Sequence, residues 1–414
     1  MRRIIAGLDI GSYSIKLVVG EFQKNRLNIL SCVEVPSQGI KKGYIVNPES
    51  ALPALREAFD KTEELIGIPV RKVLVSVPCY DLECFMTAGS TTITSENKVI
   101  MHNDLIRAMQ ASVYNKIMDN KELISILPTK FILNDEEQVV TPIGMVANKL
   151  TVNDVAVIIP KKNVENIVRC VEKLGIEVID TCVSPLCDYY QFKNEDTKNE
   201  VGAVVNIGQT NTTVSIFNKG IITACEVLDI GAVNVDNDIA YIAKIGKKDA
   251  RYLKEKMALA DIHVAQPSEA VVLKDVSENE IKINQYDVSA VVISRLNEML
   301  NLIKKQINLL TKKEISYIIV TGGLSELKYF DRLLMTVFGN KAKIIKITEI
   351  GARHNKYSAA LGMIKYYNSR LKLRNVDFSI FSLDEQEDFG GTHRRVNISE
   401  NSLLGKIYGY FFDN

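Results

Sequence analysis

Two stretches decide how this chain is read: GLDIGSYSIKLVVG, residues Gly7 to Gly20, and VVNIGQTNTTVSIF, residues Val204 to Phe217. Each is an apolar strand, an acidic or amide residue, one apolar residue, a glycine, a small polar turn and a second apolar strand. The pattern predicts a strand–turn–strand hairpin twice. A glycine at such a turn lets backbone N–H groups approach an anion with no side chain in the way. Ser12, Ser14, Thr210 and Thr212 add hydroxyl donors. Asp9 is placed to hold a hydrated Mg2+ near phosphates, because that ion prefers oxygen ligands and keeps its waters. One such hairpin is ordinary turn chemistry. Two of them, each heading a similar half, point to a single phosphate-bearing ligand between the halves.

Working outward, Leu27–Val35 reads as a third strand beside the first hairpin, and Ile221–Val227 as a third beside the second. Asn47–Gly67 reads as a helix, with Asn47 as cap, Pro48 in the first turn and Leu52, Leu55, Phe59 and Ile66 on one face. Val73–Val77 is a buried strand. Residues Cys84–Lys162 differ in texture: β-type runs at Thr87–Thr94, Ser125–Leu133 and Val155–Ile159 surround one helix, Asn103–Ile117, which suggests an inserted α+β subdomain. Asn163–Lys173 is helical, Glu177–Val183 is a strand, and the polar run Asn194–Glu200 reads as a boundary loop. Past it come helices at Val235–Ala243, Lys247–Leu259 and Val288–Leu310, the last amphipathic. Ile315–Val320 is a strand ending at Gly322-Gly323, and Tyr357–Tyr367 is a helix.

The bulk numbers fit this picture. A chain of 414 residues needs two or more cores. Lys and Arg number 51 against 50 for Asp and Glu, which gives no argument for nucleic acid. Seven scattered cysteines without CxxC spacing read as reduced core thiols of a cytosolic protein. His102, His263, His354 and His393 stand too far apart in sequence to suggest a ligand set. The opening Met1-Arg2-Arg3 carries no signal-peptide pattern, and no apolar run approaches the roughly 20 residues that span a bilayer.

Two glycine-turn hairpins followed by Thr321-Gly322-Gly323 resemble the actin/Hsp70/sugar-kinase superfamily. The resemblance implies an actin-like α/β fold of two RNase H-like halves and a site for ATP with Mg2+. It implies phosphate contacts from Gly11, Ser12, Tyr13, Ser14, Lys16, Gly208, Gln209, Thr210, Asn211 and Thr212. Arg251, Lys254, Gly322 and Gly323 fall on the adenosine side, and Asp9 and Asn206 meet the metal through water.

Further stretches resemble the bacterial cell-division family FtsA: Gly39–Asn47 (GIKKGYIVN), Gly231–Ala240 (GAVNVDNDIA), Asp249–Met257 with Lys254 and Lys256, Arg295 and Glu298 in the long helix, and Tyr357–Gly362 (YSAALG). They span most of residues 1–370 in order. The insert, an SHS2-type subdomain in that family, then serves contacts with other FtsA molecules and division proteins. The chain departs from the family at Asn206 (usually Asp), Gln209 (usually Gly), Arg251 (usually Glu) and Ser184 (usually Gln or Glu). A neutral amide at 206 cannot act as a base toward water, so the sequence favours binding over turnover and assigns no catalytic residue.

The tail Ile398–Asn414 reads ISENSLLGKIYGYFFDN. Leu403, Leu404, Ile407, Tyr408, Phe411 and Phe412 fall on one broad helical side, too short to span a membrane and suited to lie in its interface. It resembles the family's membrane-targeting helix, with Arg394 and Arg395 upstream to attract anionic lipid. The expected layout is therefore residues 1–83 and 163–193 as the first half, 84–162 as the insert, 194–375 as the second half, 376–397 as a flexible acidic linker and 398–414 as the amphipathic helix. The resemblance implies a peripheral protein on the cytoplasmic membrane face at the division site. It would self-associate as dimer or filament, tether the tubulin-like FtsZ and recruit later division proteins. A pilus-assembly protein of the PilM type and, less well, a small-molecule kinase share the hairpin pattern.

Overall fold

A computed structural model describes residues 2–386. The predicted hairpin at the start of the chain is present: Arg3–Ile10 and Ser14–Gln23 run antiparallel, with Ile10 opposite Ile15 at the turn. Arg26–Pro36 adds to one side of it, and Lys72–Val77 joins Arg3–Ile10 in parallel on the other, Gly7 facing Leu74. Glu177–Val183 completes a five-stranded sheet. Its strands are rich in Ile, Leu and Val and buried on both faces, as a sheet covered by helices requires.

The second hairpin repeats this order. Val201–Ile207 and Thr212–Asn218 pair antiparallel with Ile207 opposite Thr212, Ile221–Leu228 flanks them, and Tyr317–Thr321 runs parallel to Val201–Ile207. Ala342–Ile344 closes the sheet. The two sheets therefore share one topology, third–second–first–fourth–fifth strand; one face of the second sheet has its own core, while Val204, Phe217, Ile222, Tyr317 and Ile319 on the other join the core of the first. This arrangement, one sheet topology occurring twice, is the one the actin-like α/β reading expects.

The helix Pro48–Ile66 follows its sequence signals. The side chain of Asn47 accepts from Ser50 N at 3.3 Å, Pro48 occupies the first turn, and Gly67 ends the helix at φ 80°. The long helix Gln285–Leu310 buries Val288, Val292, Met299, Ile303 and Ile307 in the second core. The insert forms a four-stranded sheet of Glu83–Thr92, Lys149–Pro160, Lys121–Leu133 and Glu137–Val139, covered by the helix His102–Val113. Ile93, Leu105, Phe131, Leu150 and Val152 belong to its separate core.

The structure corrects three readings. The polar run at 194–200 is no plain loop: Glu195–Asn199 is a short helix capped by Asn194, whose Oδ1 accepts from Thr197 N. The helix Ser358–Arg374, read as the end of the second half, packs its Ala359, Leu361, Met363, Ile364 and Leu371 into the first core. Gly362 permits this, since a Cβ there would stand 1.8 Å from Cys187 O in the helix Ser184–Phe192. The described part of the expected linker, residues 376–386, is packed as well. Phe381 is 1% exposed, Ile380 N donates to Ile4 O at 3.0 Å, and Gln386 Oε1 accepts from Arg2 N. The acids there read as a tether, yet Phe378, Ile380 and Phe381 between them supply apolar surface that the first half buries. The remainder of that linker and the expected membrane helix, with Leu403, Leu404, Ile407, Tyr408, Phe411 and Phe412, lie outside the described residues. Among the described residues no helix is long and apolar enough to cross a membrane.

Candidate functional site

The two glycine turns are built alike. Gly11 N donates to Ser14 O at 3.1 Å, and Gly208 N donates to Asn211 O at 3.0 Å. Each turn therefore closes on itself through the N–H of its glycine. Among the described residues, no acceptor is recorded for Ser12 N, Tyr13 N, Gln209 N or Thr210 N. The turns face each other across a cleft, where Thr210 Oγ1 and Ser12 Oγ stand 3.1 Å apart. The second turn is also held from behind: Ala232 N donates to Gly208 O and Val233 N to Gln209 O, tying it to the start of the helix Ala232–Ala243.

The cleft encloses about 790 Å³. That lies in the range of small-molecule and cofactor sites. Asp9, Gly11, Ser12, Tyr13, Ser14, Lys16, Asn206, Gly208, Gln209, Thr210, Asn211, Lys254, Gly322 and Gly323 line it, so most residues singled out in the sequence converge. Gly322 sits at φ +94°, and a Cβ on it would meet Ile207 O at 2.4 Å, whereas Gly323 has open space before it. The pair therefore brings bare backbone against the second hairpin and presents bare backbone to the cavity.

Two expected contacts fall elsewhere. Thr212 is fully buried and its hydroxyl donates to Ile230 O at 2.8 Å, so it offers no donor to the cleft; strand alternation puts Thr213 on the cavity side instead. Arg251 stands at the rim. Its guanidinium lies 4.4 Å from the centre of the Tyr13 ring, across the cleft from its own half, and pairs with Asp236 at 3.2 Å. Asp236, 1% exposed, also takes Lys254 Nζ at 2.5 Å and Gln209 Nε2 at 3.0 Å. Burial lowers the Lys254 pKa despite this carboxylate.

Charge on the opposite wall is tightly paired. Asp9 accepts from Lys16 Nζ at 3.1 Å and from Ser76 Oγ at 2.9 Å. Ser14 Oγ and Lys356 Nζ bind Glu34 at 2.7 and 2.5 Å, and these two partners, outweighing its burial, hold the Glu34 carboxyl below its ordinary range. Beneath the cleft, Asn206 Nδ2 donates to Asp188 Oδ2 at 2.7 Å, and Ser358 Oγ donates to Asp188 Oδ1 at 2.6 Å. Burial pushes the Asp188 carboxyl up to about 7. Ser76, Glu34, Lys356 and Asp188 carry no local signal in the sequence, and Asp236, although inside the stretch Gly231–Ala240, is not singled out by it; the fold brings them to the cleft.

The family described as cell division protein FtsA matches residues 203–362, and the SHS2 domain inserted in FtsA matches residues 81–159. The chain belongs to the FtsA family. FtsA of Bacillus subtilis is 27% identical over 381 residues, covering 91% of this chain and 87% of that protein. FtsA of Borreliella burgdorferi is 25% identical over 385 residues, covering 91% and 93%. Among solved structures, MreB5 of Spiroplasma citri bound to ADP is similar with TM-score 0.56 at 13% identity, covering 90% of this chain and 98% of that one. A PilM–PilN type IV pilus biogenesis complex gives TM-score 0.55 at 15% identity, covering 87% and 97%. These structural likenesses show the actin-like fold, and the SHS2 match gives the inserted subdomain of FtsA its place in this chain.

Proposed function

We propose that this FtsA-family chain binds ATP with Mg2+ in the cleft and works as a division adaptor. It self-associates, tethers FtsZ to the cytoplasmic face of the membrane and recruits later division proteins. The observation that carries the nucleotide reading is the pairing of two identically hydrogen-bonded glycine turns whose residues line one cavity. Such turns cradle phosphate oxygens. The bare backbone at Gly322-Gly323 suits a flat base and sugar. MreB5 of Spiroplasma citri, a fold neighbour, has been solved with ADP and with AMPPNP, which supports the same use of the fold here.

The residues fit a hydrated magnesium ion. Asp9 and Asn206 both line the cavity, and side-chain oxygens of this kind hold Mg2+ through its waters. When bound, the ion would neutralise phosphate charge. Asn206 offers no base to an attacking water, so the site is suited to holding ATP and keeping the two halves closed rather than to rapid turnover.

The membrane arm of the reading rests on the sequence of residues 398–414, whose Leu403, Leu404, Ile407, Tyr408, Phe411 and Phe412 recur at the spacing of one helical side. Co-sedimentation with vesicles containing anionic lipid, using the full chain and a chain ending at residue 397, tests it. The full chain is expected to pellet and to carry FtsZ with it, and the shortened chain to stay in solution. Equal pelleting of both, or no retention of FtsZ by the full chain, contradicts the adaptor reading.

A further inference from the structure

The surroundings of position 206 show how a neutral amide is held at the cleft. Asn206 lies between the cleft and a buried carboxylate. Its Nδ2 donates to Asp188 Oδ2 at 2.7 Å. Its Oδ1 lies beside Gly322, a residue that lines the cleft: a Cβ added to that glycine would approach the oxygen to 2.6 Å. An amide can face a carboxylate only through its N–H, because the opposite orientation sets acceptor against acceptor. Asp188 therefore fixes which atom of Asn206 meets the cavity. Asp188 is itself immobilised: it is 1% exposed, accepts from Ser358 Oγ at 2.6 Å and sits on the helix Ser184–Phe192.

We propose that Asp188 is a positioning residue of the cleft, and that Asp188 and Asn206 form a carboxylate–amide pair whose two members can be exchanged. The inference rests on the nucleotide reading for its consequence in the cleft, but the pairing itself does not. As the chain stands, the buried partner is the carboxylate and the cleft partner is a neutral carbonyl oxygen with fixed orientation. That oxygen accepts hydrogen bonds from the waters of a cation but brings no charge to it. A carboxylate introduced at 206 alone would set an acceptor against Asp188 Oδ2, so the pair must either take up a proton or sit acceptor to acceptor. Exchange of both residues keeps the hydrogen bond with its direction reversed: the amide at 188 donates to the carboxylate at 206 and still accepts from Ser358. The cleft then carries a charged oxygen in the same place.

Four proteins decide the matter: the full-length chain and its N206D, D188N and D188N/N206D variants. Thermal melting at pH 8 reads the pairing, and the affinity of a fluorescent ATP analogue in Mg2+ and in EDTA reads the cleft. N206D is expected to melt several degrees below the unsubstituted chain, and D188N/N206D to regain at least half of that loss. The ratio of affinity in Mg2+ to affinity in EDTA is expected to rise about tenfold in D188N/N206D, since a charged acceptor binds metal-held waters more strongly than a neutral one. The proposal is overturned if D188N/N206D melts no higher than N206D. It is overturned equally if stability returns and the Mg2+ ratio stays unchanged, because a merely structural pair would give that result. Absence of ATP binding by the unsubstituted chain would defeat the nucleotide reading instead, and the melting comparison would still decide the pairing.

Discussion

Ser12 Oγ and Thr210 Oγ1 stand 3.1 Å apart although 198 residues separate them, and each belongs to a turn closed by the same backbone hydrogen bond. Two sheets of equal topology deliver those turns to a common cleft. A ligand that binds both turns therefore joins the two halves, and one that binds either alone does not.

A side chain at either turn glycine would crowd the turn's own backbone. A Cβ on Gly11 would lie 2.9 Å from Ser14 O, and one on Gly208 would lie 3.0 Å from Asn211 O. Gly11→Ala or Gly208→Ala is expected to weaken ATP binding about tenfold or more, the equivalent of about 1.4 kcal/mol, by shifting N–H groups that contact phosphate. Titration of a fluorescent ATP analogue checks this, with circular dichroism to show that the fold is kept. Unchanged affinity in both variants would remove the turns from the site.

Gly322 makes a stronger demand on backbone. Its φ of +94° and the 2.4 Å approach of a Cβ to Ile207 O predict that Gly322→Ala destabilises the second half by about 1–3 kcal/mol. Urea unfolding of the variant against the unsubstituted chain measures it. Gly323→Ala, facing open space, is expected to unfold normally yet bind ATP less well.

The hairpins were legible because everything that makes them is local: alternating apolar runs, a glycine and a polar residue three positions on. The cores followed from the same periodicity, as in the helix Gln285–Leu310. The pairing of Asp188 with Ser358 was not legible, since they stand 170 positions apart and no local pattern links them. The return of the helix Ser358–Arg374 to the first half was hidden for a related reason, as its Gly362 matters only against the backbone of Cys187. At residues 377–386 the acids outweighed three aromatic and aliphatic residues in the reading, whereas burial of Phe381 and Ile380 decides the structure.

That strap gives a test of its own. Phe381 is 1% exposed in the first core, and truncating a buried phenylalanine costs about 3–5 kcal/mol where the site cannot collapse. Phe381→Ala is expected to release residues 377–386 from Ile4, seen as faster hydrogen exchange at the Ile380 amide and cleavage there by protease. Protection equal to that of the unsubstituted chain would contradict the packing.

Asp154 predicts a pH dependence in the insert. It is fully buried; Thr87 bonds one carboxylate oxygen, and Oδ2 has no hydrogen-bond partner among the described residues. Burial raises its pKa above the ordinary value. A raised folded-state pKa means that this group favours the fold at low pH and that stability falls as pH rises through the folded pKa. Asp154→Asn is expected to stabilise the chain at pH 8, by about 1–3 kcal/mol, and to give little gain near pH 4. Thermal melts at the two pH values check the sign, which an equal gain at both would refute.

The most direct measurement is a crystal structure of the full chain grown with Mg2+ and a non-hydrolysable ATP analogue. The expected result places the phosphates within hydrogen-bond distance of backbone N–H groups in both turns, Ser12–Ser14 and Gln209–Asn211, with the base beside Gly322-Gly323. An empty cleft at saturating analogue, or a nucleotide touching one turn while the other faces solvent, would contradict it.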